Sequence, residues 1–129
     1  MTAVDTDVDF DEVVDILRRA GAAFAFLHGS RAAGTGRPDS DVDVAAWWGR
    51  DDRPAPWSVV LPPGVDLLVL DDAPLELRGR VAVDGVLLFE DDPAARVEWQ
   101  ATTRLVYFDE EWRQRWITRT FLEAHARGR

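Results

Sequence analysis

Leu27-His28-Gly29-Ser30-Arg31-Ala32-Ala33-Gly34-Thr35-Gly36-Arg37-Pro38-Asp39-Ser40-Asp41-Val42-Asp43-Val44 is the stretch that decides how this chain folds. An apolar run ends in a Gly-Ser pair, and an Asp-x-Asp pair opens the next apolar run. Ten residues, 31 to 40, separate Ser30 from Asp41. Side chains alternate along a strand, so Asp41 and Asp43 project from one face. Two carboxylates side by side repel each other unless a cation sits between them. The hard, oxygen-seeking choice is Mg²⁺, usually held by one or two carboxylates together with substrate phosphates. The Gly29-Ser30 turn offers backbone N–H groups and a hydroxyl of the kind that hold phosphates. A phosphate holder beside a metal holder points to nucleotide chemistry.

Outward from this stretch, the pattern alternates helices and short strands. Residues 1–8 are polar and acidic and are expected to fray. Phe10, Val13, Val14, Ile16 and Leu17 recur at helical spacing, with Asp9 as N-cap, Glu12 in capping-box position and Gly21 as C-cap. Residues 22–27 read as a buried strand, residues 30–33 as the opening of a short helix, and 34–40 as a loop. Residues 42–48 read as the next strand, and 59–61 as the start of another before Pro62 and Pro63 break it. Residues 65–70 read as a third strand. Pro74 opens an amphipathic helix to Val83, with Asp71 and Asp72 as cap candidates. Asp84-Gly85 turns into a fourth strand, 86–89, and a helical region runs from 93 to about 125. No linker divides the chain, so residues 1–129 are expected to be one domain.

Composition narrows the function. The 129 residues suit a single core, and 47% are apolar. No apolar run approaches the roughly 18 residues that span a bilayer, and the acidic N-terminus lacks the pattern of a signal peptide. There is no cysteine, which excludes disulfides and thiolate metal sites and fits a cytoplasmic setting. A formal net charge of −9 argues against direct binding of long nucleic acid. Every cation is Arg, with no Lys at all, which reads as codon usage.

Asp66 stands alone in the apolar run 65–70. A lone charge in a buried strand is costly, so a partner is expected. A strand lying beside residues 41–47 would bring Asp66 to the same cluster, while an exposed strand face is the bland alternative. Asp-x-Asp alone is usually a solvated turn, and Gly-Ser after a strand is weak by itself. The combination with a later acidic strand residue is far more specific.

Taken together, Gly29, Ser30, Asp41, Asp43 and Asp66 resemble the signature of minimal nucleotidyltransferases of the DNA polymerase β-like superfamily. The segments 65–74 and 85–90 and the helix around Tyr107-Phe108-Asp109 are similar to small stand-alone members, commonly antitoxins paired with a HEPN-domain ribonuclease toxin. The resemblance implies an α/β fold, a small mixed sheet flanked by helices. It implies that Asp41 and Asp43 bind two Mg²⁺ ions, one shared with Asp66, and that Gly29, Ser30 and Arg31 hold ATP. Asp66 would also accept the proton of an incoming hydroxyl, making Asp41, Asp43 and Asp66 the catalytic set. It implies a type VII-like antitoxin that transfers AMP to a tyrosine of its toxin. One departure stands out: family members often carry Gly-Ser-x-Ala-Arg-Gly, and Ala33 occupies the place of that Arg. Arg31 and Arg37 are the nearby cations able to replace it. Two alternatives remain: transfer of a nucleotide to a small-molecule hydroxyl, and a binder that silences its partner without catalysis.

The remaining candidates are read as structural. His28 is expected to be a packed strand-end histidine. Asp71, Asp72 and Glu76 are expected as cap and helix-surface groups. Trp99, Trp112 and Trp116 are expected in the core, one of the adjacent pair Trp47 and Trp48 faces the core, and the Arg-rich stretch 113–129 is a solvated helix face.

Overall fold

A computed structural model describes residues 8–29 and 42–127. The elements in chain order are α1 (Phe10–Arg19), β1 (Phe24–His28), β2 (Val42–Trp47), β3 (Val65–Val69), α2 (Leu75–Asp84), β4 (Val86–Glu90) and α3 (Pro93–Arg127), with short 3-10 turns at Pro56–Ser58 and Leu70–Asp72. The strands form one mixed sheet in the order β3-β2-β1-β4. β1 runs antiparallel to both β2 and β4, while β2 and β3 are parallel. The expected α/β architecture is therefore present, with four strands and three helices among the described residues.

Local chemistry explains the borders. The Asp9 carboxylate accepts the backbone N–H groups of Asp11 and Glu12, satisfying two donors that the first helical turn leaves free. Val8 does not fray: it packs against the core on which α1 lies, next to the N-cap, in the manner of a hydrophobic staple. At the other end the chain leaves the helix at Gly21, whose N–H donates to the Arg18 carbonyl.

Strand alternation sorts the apolar residues into two layers. Ala25, Val42, Val44, Ala46 and Val69 face α1, against Val13 and Leu17. Phe24, Phe26 and Ala45 face the opposite way and are covered by Leu70, Val81 of α2 and Trp99 of α3. Trp48 is buried on the α1 side, and its indole N–H donates to the Ala20 carbonyl at 2.9 Å. Trp47 stacks on Phe24 with ring centroids 5.1 Å apart. The adjacent tryptophans thus serve both layers, and neither is a free surface ring.

Three expectations need correction. Residues 59–61 form no strand. Asp71 and Asp72 do not cap α2: Pro74 is the N-cap residue and no side chain caps it. The Asp71 carboxylate instead accepts the N–H groups of Trp48 and Gly49 at 2.9 and 2.6 Å, closing the end of β2. Asp72 pairs with Arg53. Finally, Trp112 and Trp116 are not core: they are 64% and 48% exposed on α3, and only Trp99 of that trio packs inside.

The helix α3 has 35 residues and is about 52 Å long. Its first half lies on α2, where Tyr107 sits directly against Gly79. Gln100 and Arg104 both donate to the Ala82 carbonyl near the end of α2. Beyond Gln114 no described residue covers the helix.

Candidate active site

The parallel pairing of β2 with β3 sets the site. In that register Asp43 lies directly opposite Asp66. In the antiparallel pairing on the other side, Asp43 lies opposite His28. Directly opposed residues of paired strands point to the same face. Asp66, Asp43 and His28 therefore form a row across three strands, on the face that also carries Phe24, Phe26 and Ala45. Strand spacing of about 4.8 Å puts the two carboxylates within reach of one ion.

The row sits where the sheet face emerges from its helical cover. Asp66 is exposed, Asp43 and His28 half-buried. Asp66 therefore incurs no burial cost and needs no ion-pair partner, contrary to the expectation for a buried strand. Neither Asp43 nor Asp66 makes a hydrogen bond or ion pair with any described residue. Two adjacent carboxylates that no described cation pairs with fit an oxygen-preferring metal ion, and the donor set suits Mg²⁺. Among the described residues alone, no group of three or more His, Cys, Asp or Glu side chains stands in metal-binding arrangement.

Gly29 ends β1 and sits against Asp43. Its φ of +83° is a conformation that residues with a Cβ rarely adopt. A Cβ there would lie 2.6 Å from Asp43 Oδ2. Glycine at this point lets the backbone at the end of β1 lie close against the Asp43 carboxylate. The His28 imidazole is lowered from its ordinary pKa of 6.5 by burial, against an opposing pull from the Asp43 charge. It is a packed strand-end histidine, as expected, and uncharged at neutral pH.

The structure thus brings together Gly29, Asp43 and Asp66. Ser30, Arg31, Ala33, Arg37 and Asp41 lie outside the described residues, as do the expected short helix at 30–33 and the loop that follows.

A second polar feature has no motif in the sequence to announce it. A cleft of about 420 Å³ lies between Trp47, Asp71, Arg78, Glu98 and Trp99. The Arg78 Nε is buried there without a hydrogen-bond partner. This cleft is at the far end of β2, separated from the carboxylate row by the buried Phe26 and Ala45.

The polymerase beta nucleotidyltransferase family model matches residues 11–94, well over half of the chain and the whole of the region from α1 to the start of α3. The chain belongs to that family. No curated protein matches it. Among solved structures, a chain of a toxin–antitoxin complex with AMP-PNP is similar at TM-score 0.71 and 22% identity, covering 89% of this chain and 99% of that one. A chain of the MntA-HepT toxin–antitoxin is similar at TM-score 0.63 and 18% identity, covering 88% and 96%. A third, from the tri-AMPylated Shewanella oneidensis HEPN toxin in complex with MNT antitoxin, is similar at TM-score 0.65 and 18% identity, covering 94% and 99%. At these identities the likeness is one of fold. No helix among the described residues is long and apolar enough to cross a membrane.

Proposed function

We propose that this nucleotidyltransferase is the antitoxin of a toxin–antitoxin pair and transfers AMP from ATP to a tyrosine hydroxyl of a HEPN ribonuclease toxin. The observation that carries the reading is the opposed pair Asp43 and Asp66, next to Gly29, in a chain of this family. The complexes that share its fold, one with AMP-PNP and one with a tri-AMPylated toxin, support the choice of nucleotide and acceptor.

In this reading Gly29, Ser30 and Arg31 bind the triphosphate, and Asp41, Asp43 and Asp66 hold two Mg²⁺ ions. When bound, these ions supply charge neutralisation for the phosphates and acidify the incoming hydroxyl. Asp66, at the solvent edge of the row, takes the proton from the tyrosine hydroxyl. The tyrosine oxygen bonds to the α-phosphorus as the bond from that phosphorus to the pyrophosphate oxygen breaks. The products are the tyrosine–AMP phosphodiester and pyrophosphate. Each AMP places negative charge and bulk beside a site that must bind RNA, which silences the ribonuclease. The reaction is set in the cytoplasm, with no direct contact to nucleic acid or membrane.

The test is the intact mass of the toxin after co-expression with the wild-type chain or with Asp43→Ala/Asp66→Ala. One or more added AMP units with the wild type, and none with the variant, is the expected result. An unmodified toxin that co-purifies and stays silent in both cases would replace this reading with inhibition by binding, for which Ala33 in the place of the usual Arg is the sequence argument.

A further inference from the structure

The cleft at the far end of β2 is lined by hydrogen-bond donors that no described residue accepts. It opens beyond the carboxyl ends of the two parallel strands, at Trp47 of β2 and Leu70 just after β3. Arg78 of α2 and Glu98, Trp99 and Thr103 of α3 complete its lining. That end of an open α/β sheet is where such folds take their ligands. The volume of about 420 Å³ is that of a small-molecule site. The Arg78 Nε is buried without a partner, and its guanidinium as a whole makes no hydrogen bond or ion pair with a described residue. Thr103 is only 6% exposed, and its hydroxyl bonds no described residue either. The same holds for the indole N–H groups of Trp47 and Trp99. Buried donors are normally paired, so this set calls for an acceptor.

The acids of the cleft do not supply it. Both oxygens of Asp71 are taken by the N–H groups of Trp48 and Gly49. Glu98 is exposed and pairs with no described cation. These two charges do set what can enter. A doubly charged phosphate beside Arg78 would face two carboxylates, whereas a single negative charge is balanced by the guanidinium. A carboxylate also matches the planar fork of arginine with two parallel N–H···O bonds. The walls set the rest of the ligand. Trp47 and Trp99 pack on Phe24 and also line the cleft, which suits a flat apolar body.

We infer that this cleft binds a small aromatic carboxylic acid, with Arg78 holding the carboxylate and Trp47 and Trp99 packing on the ring. The site shares no residue with the carboxylate row, and its occupancy does not depend on the proposed transfer reaction.

The experiment is calorimetric titration of the full-length chain with indole-3-acetate and 1-naphthoate, and with inorganic phosphate and AMP as the phosphate-bearing comparison. The aromatic acids are expected to bind one per chain and to shift the indole N–H resonances of Trp47 and Trp99 in the NMR spectrum. Arg78→Met keeps the apolar stem and removes the charged fork, and is expected to weaken binding at least tenfold. Because the guanidinium has no partner among the described residues, Arg78→Met without ligand should melt at the wild-type temperature or above. Asp43→Ala should leave the affinity for the acids unchanged. No binding of either acid, tighter binding of phosphate or AMP in the cleft, or equal affinity in Arg78→Met overturns the inference. A lower melting temperature for Arg78→Met without ligand overturns it too, since the guanidinium would then already be held by a protein group such as the Glu98 carboxylate.

Discussion

Gly79 of α2 lies directly against Tyr107 of α3, and its replacement by alanine is a sharp test of how the two helices pack. A Cβ at Gly79 would lie 2.0 Å from Cδ1, 2.2 Å from Cγ and 2.7 Å from Cε1 of Tyr107. Those are atoms of a rigid ring that is itself half-buried, so the ring or the helix must move. In the middle of α2, alanine gains about 0.8–1 kcal/mol over glycine from helix propensity. Overpacking of a close contact costs about 1–3 kcal/mol and wins. The net expectation for Gly79→Ala is a loss of about 1–2 kcal/mol, a fall in Tm of several degrees for a chain of this size. In a Tyr107→Ala background the obstacle is gone and only the propensity gain remains. There Gly79→Ala should stabilise by up to about 1 kcal/mol. Urea denaturation of the four members of this cycle measures both signs. A stabilising Gly79→Ala in the wild-type background, or the same sign in both backgrounds, would refute the close crossing.

Other expectations follow from the acidic row and its surroundings. Asp43→Ala or Asp66→Ala should lower AMP transfer at least about 100-fold, measured by mass spectrometry of the acceptor. Asp66→Asn without metal should leave stability unchanged or raise it by about 0.2–1 kcal/mol, since two like charges are directly opposed. Because the His28 pKa is depressed in the fold, the unfolded chain takes up that proton first. Stability should therefore hold above pH 6.5 and decline as pH falls from 6.5 through the folded value, a loss that His28→Gln should remove from the urea midpoint curve. Asp43→Asn takes away the opposing charge, so an NMR titration should find the His28 pKa lower still. Asp71→Ala leaves the N–H groups of Trp48 and Gly49 without their acceptor and should cost about 1–3 kcal/mol.

The order of strands and helices could be read along the chain because each element carries its period and its punctuation. Asp9 capped the helix that the spacing of Val13 and Leu17 announced, and Asp84-Gly85 turned α2 into β4. What needed three dimensions was pairing. Nothing local shows that β2 and β3 run side by side with Asp43 opposite Asp66, although the chemistry of a third carboxylate suggested it. Asp71 illustrates the limit: two acids before Pro74 look like caps, and only the return of the chain past β2 gives the carboxylate two better donors. The tryptophans of α3 illustrate another. Apolar residues fall on every side of that helix, so spacing alone did not say which side the domain occupies. Trp99 faces Phe24 and Phe26, and Trp112 and Trp116 lie on the other side of the axis or beyond the reach of α2.

The position of β4 has a consequence for the way the protein is made. β1 is an interior strand, yet its two neighbours are β2 and β4, and β4 follows only after β3 and α2. During vectorial synthesis Phe24-Ala25-Phe26-Leu27 therefore presents one unpaired, strongly apolar edge until residues 86–90 emerge, and the cover of its aromatic side is completed only when Trp99 arrives. An unprotected edge of this kind is a template for intermolecular pairing. A nascent chain stalled before β4 should be held by chaperones or lost to aggregates, and slow translation of the segment between β2 and β4 should lower the soluble yield more than slow translation of α3 beyond Tyr107.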